Sequence, residues 1–500
     1  MQSTTVNGNH SAGFDNTYIR LQEKFFHHCN PDKVPQPRLI CFNNELADHL
    51  NLRLQGLSDM DLAGYFSGNM LFADSEPIAM AYAGHQFGSF VPQLGDGRAI
   101  LLGEIVTLKG KRYDIQLKGS GRTRWSRGGD GKSALGPVIR EYIVSEAMHA
   151  LGVPTTRALA MVTTGEEVLR QTGKLPGGIL TRVASGYMRI GTFEYFLARN
   201  DLEAIGQLAD YAIRRHYPEA ARDENPYISF FKQVCDRQAA LVAKWMQLGF
   251  IHGVMNTDNT SICGETIDYG PCAFMDEYDH NTVFSSIDIH GRYRYGNQGG
   301  IILWNLSSLA HCLFHLFDED EDTSRSLYTP ILEHTQVQFL HNWQQGMLKK
   351  VGLNKVEEKD IELVENYLDI LREQNVDYTL AFRYLADNIN RNTLSGRYSA
   401  LFKRPEELDN WMLQWKKRLL RESASGANIV SLMNRTNPAY IPRNHRVEKA
   451  IQQAEKENRF EEIQRFMDVL KNPFSEQPDT AEYMLPPTTE ERVLQTFCGT

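Results

Sequence analysis

Apolar positions along this chain follow two periods, and the change between them falls near residue 195. From Phe90 they come in short runs broken by glycines and polar turns, the pattern of strands. FVPQLGDGRAILLGEIVTL predicts a strand, a Gly-rich turn and a second strand; KRYDIQLKG predicts a third strand ending at Lys118. After a polar loop (GSGRTRWSRGGDGKSALG), Val138, Ile139, Tyr142, Ile143, Ala147 and Leu151 recur at helical spacing and stop at Gly152. PTTRALAMVTTGEEVLR and GGILTRVASGYMRIGTFEYF, rich in Thr, Val and Gly, predict further strands. Beyond about residue 195 the spacing turns helical, as in YISFFKQVCDRQAALVAKWMQLGF. From about 320 to the end, charged periodic segments such as RVEKAIQQAEKENRFEEIQRFMDVL predict helix almost throughout. Residues 1–75 mix helical patterns with polar connectors such as NPDKVPQPR, and no internal repeat or low-complexity linker is present. The expectation is an α+β protein whose β-rich half precedes a helical half.

Composition narrows the function classes without choosing one. Five hundred residues suffice for one large bilobal domain or for two to three small ones. The 53 Lys and Arg stand against 62 Asp and Glu, a formal charge of −9. That balance argues against a nucleic-acid partner, yet it permits a local basic pocket for phosphate. No apolar run reaches the length expected of a bilayer span, so no membrane partner is expected. The start, MQSTTVNGNHSAGFDN, lacks the order of a secretion signal and the Arg-rich pattern of a transit peptide, so a cytoplasmic protein is expected. Cys29, Cys41, Cys235, Cys263, Cys272, Cys312 and Cys498 form no CxxC and no zinc-finger spacing, and they read as free thiols. Cys498, third from the end, is the one placed to react from a tail.

Several short patterns carry chemistry. In Gly95-Asp96-Gly97-Arg98, glycines let backbone N–H groups approach phosphate and Arg98 adds a bidentate cation, although a plain hairpin turn has the same composition. Lys118 ends a strand and Glu141 sits early in the next helix, the arrangement of an ion pair that positions ATP phosphates; solvated surface residues are the alternative. GGDGKS at 128–133 is not a P-loop, because Ser126 stands where a glycine is needed and no strand leads directly into it. Asp130 and Gly131 remain candidates for nucleotide contact from this loop. Arg182 and Arg189 are seven apart, so a strand-turn-strand would converge both guanidiniums on one polyanion; exposed arginines are the alternative. Asn259 and Asp268, expected on opposite sides of a short hairpin, supply the hard oxygens that magnesium takes together with phosphate and water. Asp258 is the candidate proton acceptor, with a turn aspartate as the alternative, and His252 reads as a structural histidine.

The stretch from His252 to Gly270 resembles the catalytic loop and metal motif of aminoglycoside-type phosphotransferases, H-G-D-x-x-x-x-N followed by D-F-G. His252, Gly253, Asn259, Asp268 and Gly270 occupy matching positions, but Val254 replaces the base aspartate. More broadly, YAGHQFG, QLGDGR, DIQLKGSGRT, IREYIVSEAMHALG, HGVMNTDN, IDYGP and LWNLSSLA, between about Tyr82 and Ala310, are similar to the selenoprotein O family. The resemblance implies a protein-kinase-like bilobal fold. It would consist of an N-terminal segment (1–78), a β-rich N-lobe (79–200), a helical C-lobe (201–400) and a helical C-terminal extension (401–500). It implies a protein adenylyltransferase that binds ATP in a flipped orientation and transfers AMP to Ser, Thr or Tyr hydroxyls of proteins, releasing pyrophosphate. The nucleotide contacts carried over are Gly95, Gly97, Arg98, Lys118, Asp130, Gly131, Arg182 and Arg189, with Glu141 paired to Lys118. Asp258 would accept the proton, and Asn259 and Asp268 would bind Mg2+, or Mn2+. Cys498 matches the family's C-terminal selenocysteine or cysteine; the cysteine that can pair with it in related chains has no counterpart, since Asn281 to Asp288 contains none, so the resemblance does not carry that disulfide over, and the sequence does not place Cys263 or Cys272 as a substitute. An ordinary kinase and an inert ATP-binding pseudokinase are the competing readings.

Overall fold

A computed structural model describes residues 10–171 and 173–497, and Cys498 lies outside them. The strands in chain order are β1 (Phe26–His28), β2 (Arg38–Phe42), β3 (Ile78–Met80), β4 (Gly84–Gln86), β5 (Ser89–Val91), β6 (Ala99–Val106), β7 (Arg112–Lys118), β8 (Ser133–Ala134), β9 (Arg157–Arg170) and β10 (Gly173–Ala184). All but β4 and β5 join one eight-stranded antiparallel sheet in the order β1-β3-β6-β7-β10-β9-β2, with β8 beside β10. Successive side chains of a strand face opposite sides, and here the two sides have different partners. Ile115, Leu117, Ile179 and Val183 pack with Leu46 of α1 (Asn44–His49) and with Tyr65 and Phe66 of α2 (Asp59–Ser67). Leu180, Ala158 and Met161 pack instead with Val138, Ile139, Tyr142 and Ile143 of α3 (Leu135–Ala150). Ile139 and Ile143 are fully buried, each stabilising the fold by about 1.5–3 kcal/mol relative to exposure. The helix begins three residues before the periodic apolar positions, because Pro137 is tolerated in a first turn that lacks intrahelical N–H bonds.

The helical half supplies α4 (Ile190–Leu197), α5 (Leu202–His216), α6 (Pro226–Leu248), α7 (Gln298–Phe317) and α8 (Glu321–Lys350), followed by further helices towards the C-terminus. Two expectations are corrected here. The segment after β10 is not a second strand: from Ile190 the chain turns into α4, whose Ile190, Phe193 and Phe196 are buried in the cluster that also takes Ile301 and Leu309 of α7. Tertiary burial outweighs the β-leaning composition of this stretch. The second correction is that Tyr295–Phe317 is long and apolar enough, by length and composition, to cross a membrane. Here one face of it packs in the core through Ile302, Leu306, Leu309 and Leu313, and its fully buried Gln298 and Asn305 hold the loop beside it. Gln298 Nε2 donates to Phe250 O (3.0 Å), and Asn305 Nδ2 donates to Met255 O (3.0 Å) and Thr260 Oγ1 (2.9 Å). A short ladder, Phe250–Ile251 against Ala273–Phe274, closes the base of the same loop.

Candidate active site

Three cations converge on the Asp268 carboxylate where the sheet faces this loop. Lys118 at the end of β7 bonds Glu141 of α3 (Nζ–Oε2 2.6 Å) and Asp268 (Nζ–Oδ1 2.9 Å). Arg182 of β10 lies opposite Gln116 in the ladder and reaches Asp268 Oδ1 at 2.6 Å and Glu141 Oε1 at 3.1 Å. Arg189 reaches Asp268 Oδ2 at 2.6 Å. It does so from the N-cap of α4 rather than from a strand, so the two arginines converge by a route the spacing did not predict. Burial pushes the Asp268 carboxyl up, but Lys118, Arg189 and Arg182 outweigh it and hold the group well below the usual carboxylate range. The expected hairpin between Asn259 and Asp268 does not form. Ser261 bridges to Arg189 and Thr266 to Thr155, so each side of the segment pairs with a neighbour instead of with the other side.

The loop's other end is set by a tight turn, Thr257–Asn259, that presents Asp258. His252 acts as an anchor: it is buried, stacks on Trp245 and bonds Ile267 O through Nε2 (2.9 Å). Thr257 Oγ1 donates to Glu194 Oε2 (2.6 Å) and accepts from the His85 N–H (2.7 Å), which ties the turn to α4 and to the β4–β5 hairpin. Arg189 donates to the Asp258 carbonyl (2.6 Å). The Asp258 carboxylate is only 6% exposed; Oδ2 accepts from Gln86 Nε2 (3.2 Å), and Oδ1 has no hydrogen-bond partner among the described residues. Burial is the main reason its pKa rises to about 7. Gly84 makes this packing possible, since a Cβ there would lie 2.4 Å from Asp258 Oδ1. Gly84→Ala is therefore expected to lower turnover about 10²-fold by displacing that carboxylate, with nucleotide affinity little changed; equal losses in both measurements would contradict this.

A cavity of about 910 Å³ opens onto both ends of the loop. Gly95, Gly97, Arg98, Lys118, Asp130, Gly131, Arg182, Arg189, Asp258, Asn259 and Asp268 all line it, and so does Val254. Glu141 stands behind Lys118 on the wall of an adjoining pocket. Gly95 adopts φ +73°, and a Cβ there would collide with the ring of Trp125, which packs the polar loop onto this turn. Asp130 is held by Arg170 (2.8 Å) and by the Lys132 N–H (2.9 Å). Sequence reasoning assigned no role to Tyr82, Gln86 or Asp96, which also line the cavity. Arg189 lies over the Tyr82 ring, 4.6 Å from its centre. Asp96 is buried and accepts from Gln116 Nε2 (3.2 Å). The available signal was the density of Gly, His, Gln and Asp in YAGHQFG and LGDGR, but polar residues in turns are commonplace.

The donor set suits a hard divalent cation. Asn259 Nδ2 donates to Val254 O (3.0 Å), which leaves the amide oxygen as the coordinating end, and Asp268 adds a carboxylate. Among the described residues no group of three or more His, Cys, Asp or Glu could hold a metal by itself, so phosphate oxygens and water would have to complete the shell. Cys263 and Cys272 are buried, and burial pushes the Cys272 thiol up to about 12.

Comparison with known proteins gives one family. A family model described as protein adenylyltransferase SelO matches residues 9–471. A protein nucleotidyltransferase YdiU of Rhizobium meliloti (strain 1021) is 52% identical over 487 residues, covering 97% of this chain and 99% of the relative. The protein of the same name from Maridesulfovibrio salexigens is 53% identical, with 97% and 98% covered. That from Agrobacterium fabrum is 50% identical, with 97% and 99% covered.

Proposed function

Given that the chain belongs to the SelO family of protein adenylyltransferases, we propose that it transfers AMP from ATP to Ser, Thr or Tyr hydroxyls of proteins. The observation that carries this reading is the composition of one cavity: Val254 at the usual base position, an Asp258 oxygen with no partner among the described residues, and three cations around Asp268. Lys118, Arg182 and Arg189 would take the outer phosphates and the charge of the leaving pyrophosphate. The acceptor oxygen would attack the α-phosphorus while Asp258 takes its proton, and the bond to the β-phosphate would break. Asn259 and Asp268 would hold Mg2+ or Mn2+, which when bound supplies charge neutralisation for the phosphates. The sheet with α3 and the helices beyond residue 200 would be the two lobes of a kinase-like fold, with the Lys118–Glu141 pair at 2.6 Å as the supporting feature. The boundaries 1–78, 79–200, 201–400 and 401–500 follow from that division.

ATP labelled at the α or at the γ position separates the alternatives when incubated with the chain and acceptor proteins. Label entering protein only from the α position is expected. Label only from γ would identify a kinase, and none from either an inert nucleotide-binding module.

A further inference from the structure

A second cavity, of about 520 Å³, lies between the β6–β7 turn and the C-terminal end of α5, and it shares no lining residue with the catalytic cavity. Lys111, Arg112, Arg214, Arg215, His216 and Arg237 line it, and no Asp or Glu does. The cations fall into two groups. Arg215 is neutralised by Glu104 (3.1 Å) and Asp114 (2.5 Å), and Arg112 by Asp15 (2.6 Å) and Glu104 (3.2 Å). Lys111, Arg214 and Arg237 form no ion pair among the described residues. Arg237 lies over the Tyr217 ring at 4.1 Å and donates to the carbonyls of His216 (2.8 Å) and Cys263 (3.3 Å). His216 Nε2, buried within this wall, has no hydrogen-bond partner among the described residues. The negative end of the α5 dipole accounts for basic residues in that helix's last turn. It does not account for Lys111 and Arg237, which come to the same cavity from other elements.

We infer that this cavity is a second anion site, which binds the diphosphate or triphosphate group of a small molecule. Its size is that of a small-ligand pocket and exceeds what one phosphate fills. Guanidinium forks match phosphate oxygens in pairs, and the carboxylates of Asp15, Glu104 and Asp114 stand behind Arg112 and Arg215 rather than on the lining, which leaves Lys111, Arg214 and Arg237 to face an incoming anion. Tyr113, half-buried on the lining, offers an apolar face beside the cations, which an attached nucleobase would use.

Calorimetric titration of the full chain with inorganic pyrophosphate and with ADP, each with Mg2+, tests the site. Two equivalents are expected for the unchanged protein. The double variant Lys111→Glu/Arg214→Glu alters exposed side chains only, and it should lose one equivalent or bind it about ten-fold more weakly or worse. Lys118→Ala should lose the other. Pyrophosphate bound as tightly as ADP would mean that the phosphates alone are recognised, and preference for ADP that the base is held too. Uptake that the double variant leaves unchanged overturns the inference while sparing the catalytic reading; one equivalent lost only in the double variant does the reverse.

Discussion

Asp268→Ala is expected to lower AMP transfer on the order of 10³-fold or more, while metal-free ATP binds more tightly than to the unchanged protein. The first effect follows from losing the carboxylate that would hold the divalent ion. The second follows from the contacts of the free protein, in which Lys118, Arg182 and Arg189 all bond Asp268 at 2.6–2.9 Å. Incoming phosphates must displace that carboxylate, and removing it leaves the three cations without this counter-ion. The variant should accordingly unfold at a lower temperature alone and recover when ATP neutralises the cluster. Transfer assays with α-labelled ATP and binding measurements in a chelator check both halves. Near-normal transfer would remove the metal assignment, and weaker metal-free binding would remove the counter-ion account.

Asp258→Asn is expected to slow transfer by about 10²–10⁴-fold and to leave the ATP dissociation constant nearly unchanged. The side chain bonds Gln86 and, among the described residues, forms no ion pair with the three cations around Asp268, so its loss should fall on turnover. Its pKa of about 7 gives the pH dependence a sign. The carboxylate must be ionised to accept a proton, so kcat/KM of the unchanged protein should rise with pH through an acid limb near 7. The linkage to stability runs the other way. A carboxyl whose folded pKa is raised contributes stability fully present below its ordinary pKa and lost as pH rises towards about 7. Asp258→Asn should remove that loss, making the variant more resistant to urea at pH 8 than the unchanged protein. A large drop in ATP affinity, or an acid limb that persists in the variant, would count against a base at this position.

Legibility from sequence differed between elements for physical reasons. β6, β7, β9 and β10 appear where apolar runs and turn residues predicted strands. The apolar run at Phe90 predicts a member of that series, but among the described residues it pairs with β4 in a separate hairpin, and strand pairing is not encoded in strand propensity. The edge strands β1 and β2, three and five residues long, passed unnoticed because such short stretches carry no period. The Gly- and Thr-rich neighbours of Arg189 predict a strand; burial of Ile190, Phe193 and Phe196 makes a helix there instead. Gln86 and Asp96 carried no signal that sets a cavity polar residue apart from one in an ordinary turn.

What the sequence determined alone was the inventory: a lysine at a strand end, a glutamate one helix later, an Asn and an Asp flanking a loop, and valine where a base is usual. Residue type and spacing settle those, because they depend only on chain order and on the local period of the backbone. Only the tertiary structure decided that Asp268 sits among Lys118, Arg182 and Arg189, that Gly84 lets Asp258 pack with one oxygen unpartnered among the described residues, and that one face of α7 packs in the core. Electrostatics and burial act through space, and residues up to 150 positions apart, as Lys118 and Asp268 are, come within bonding distance only once the sheet and helices have packed.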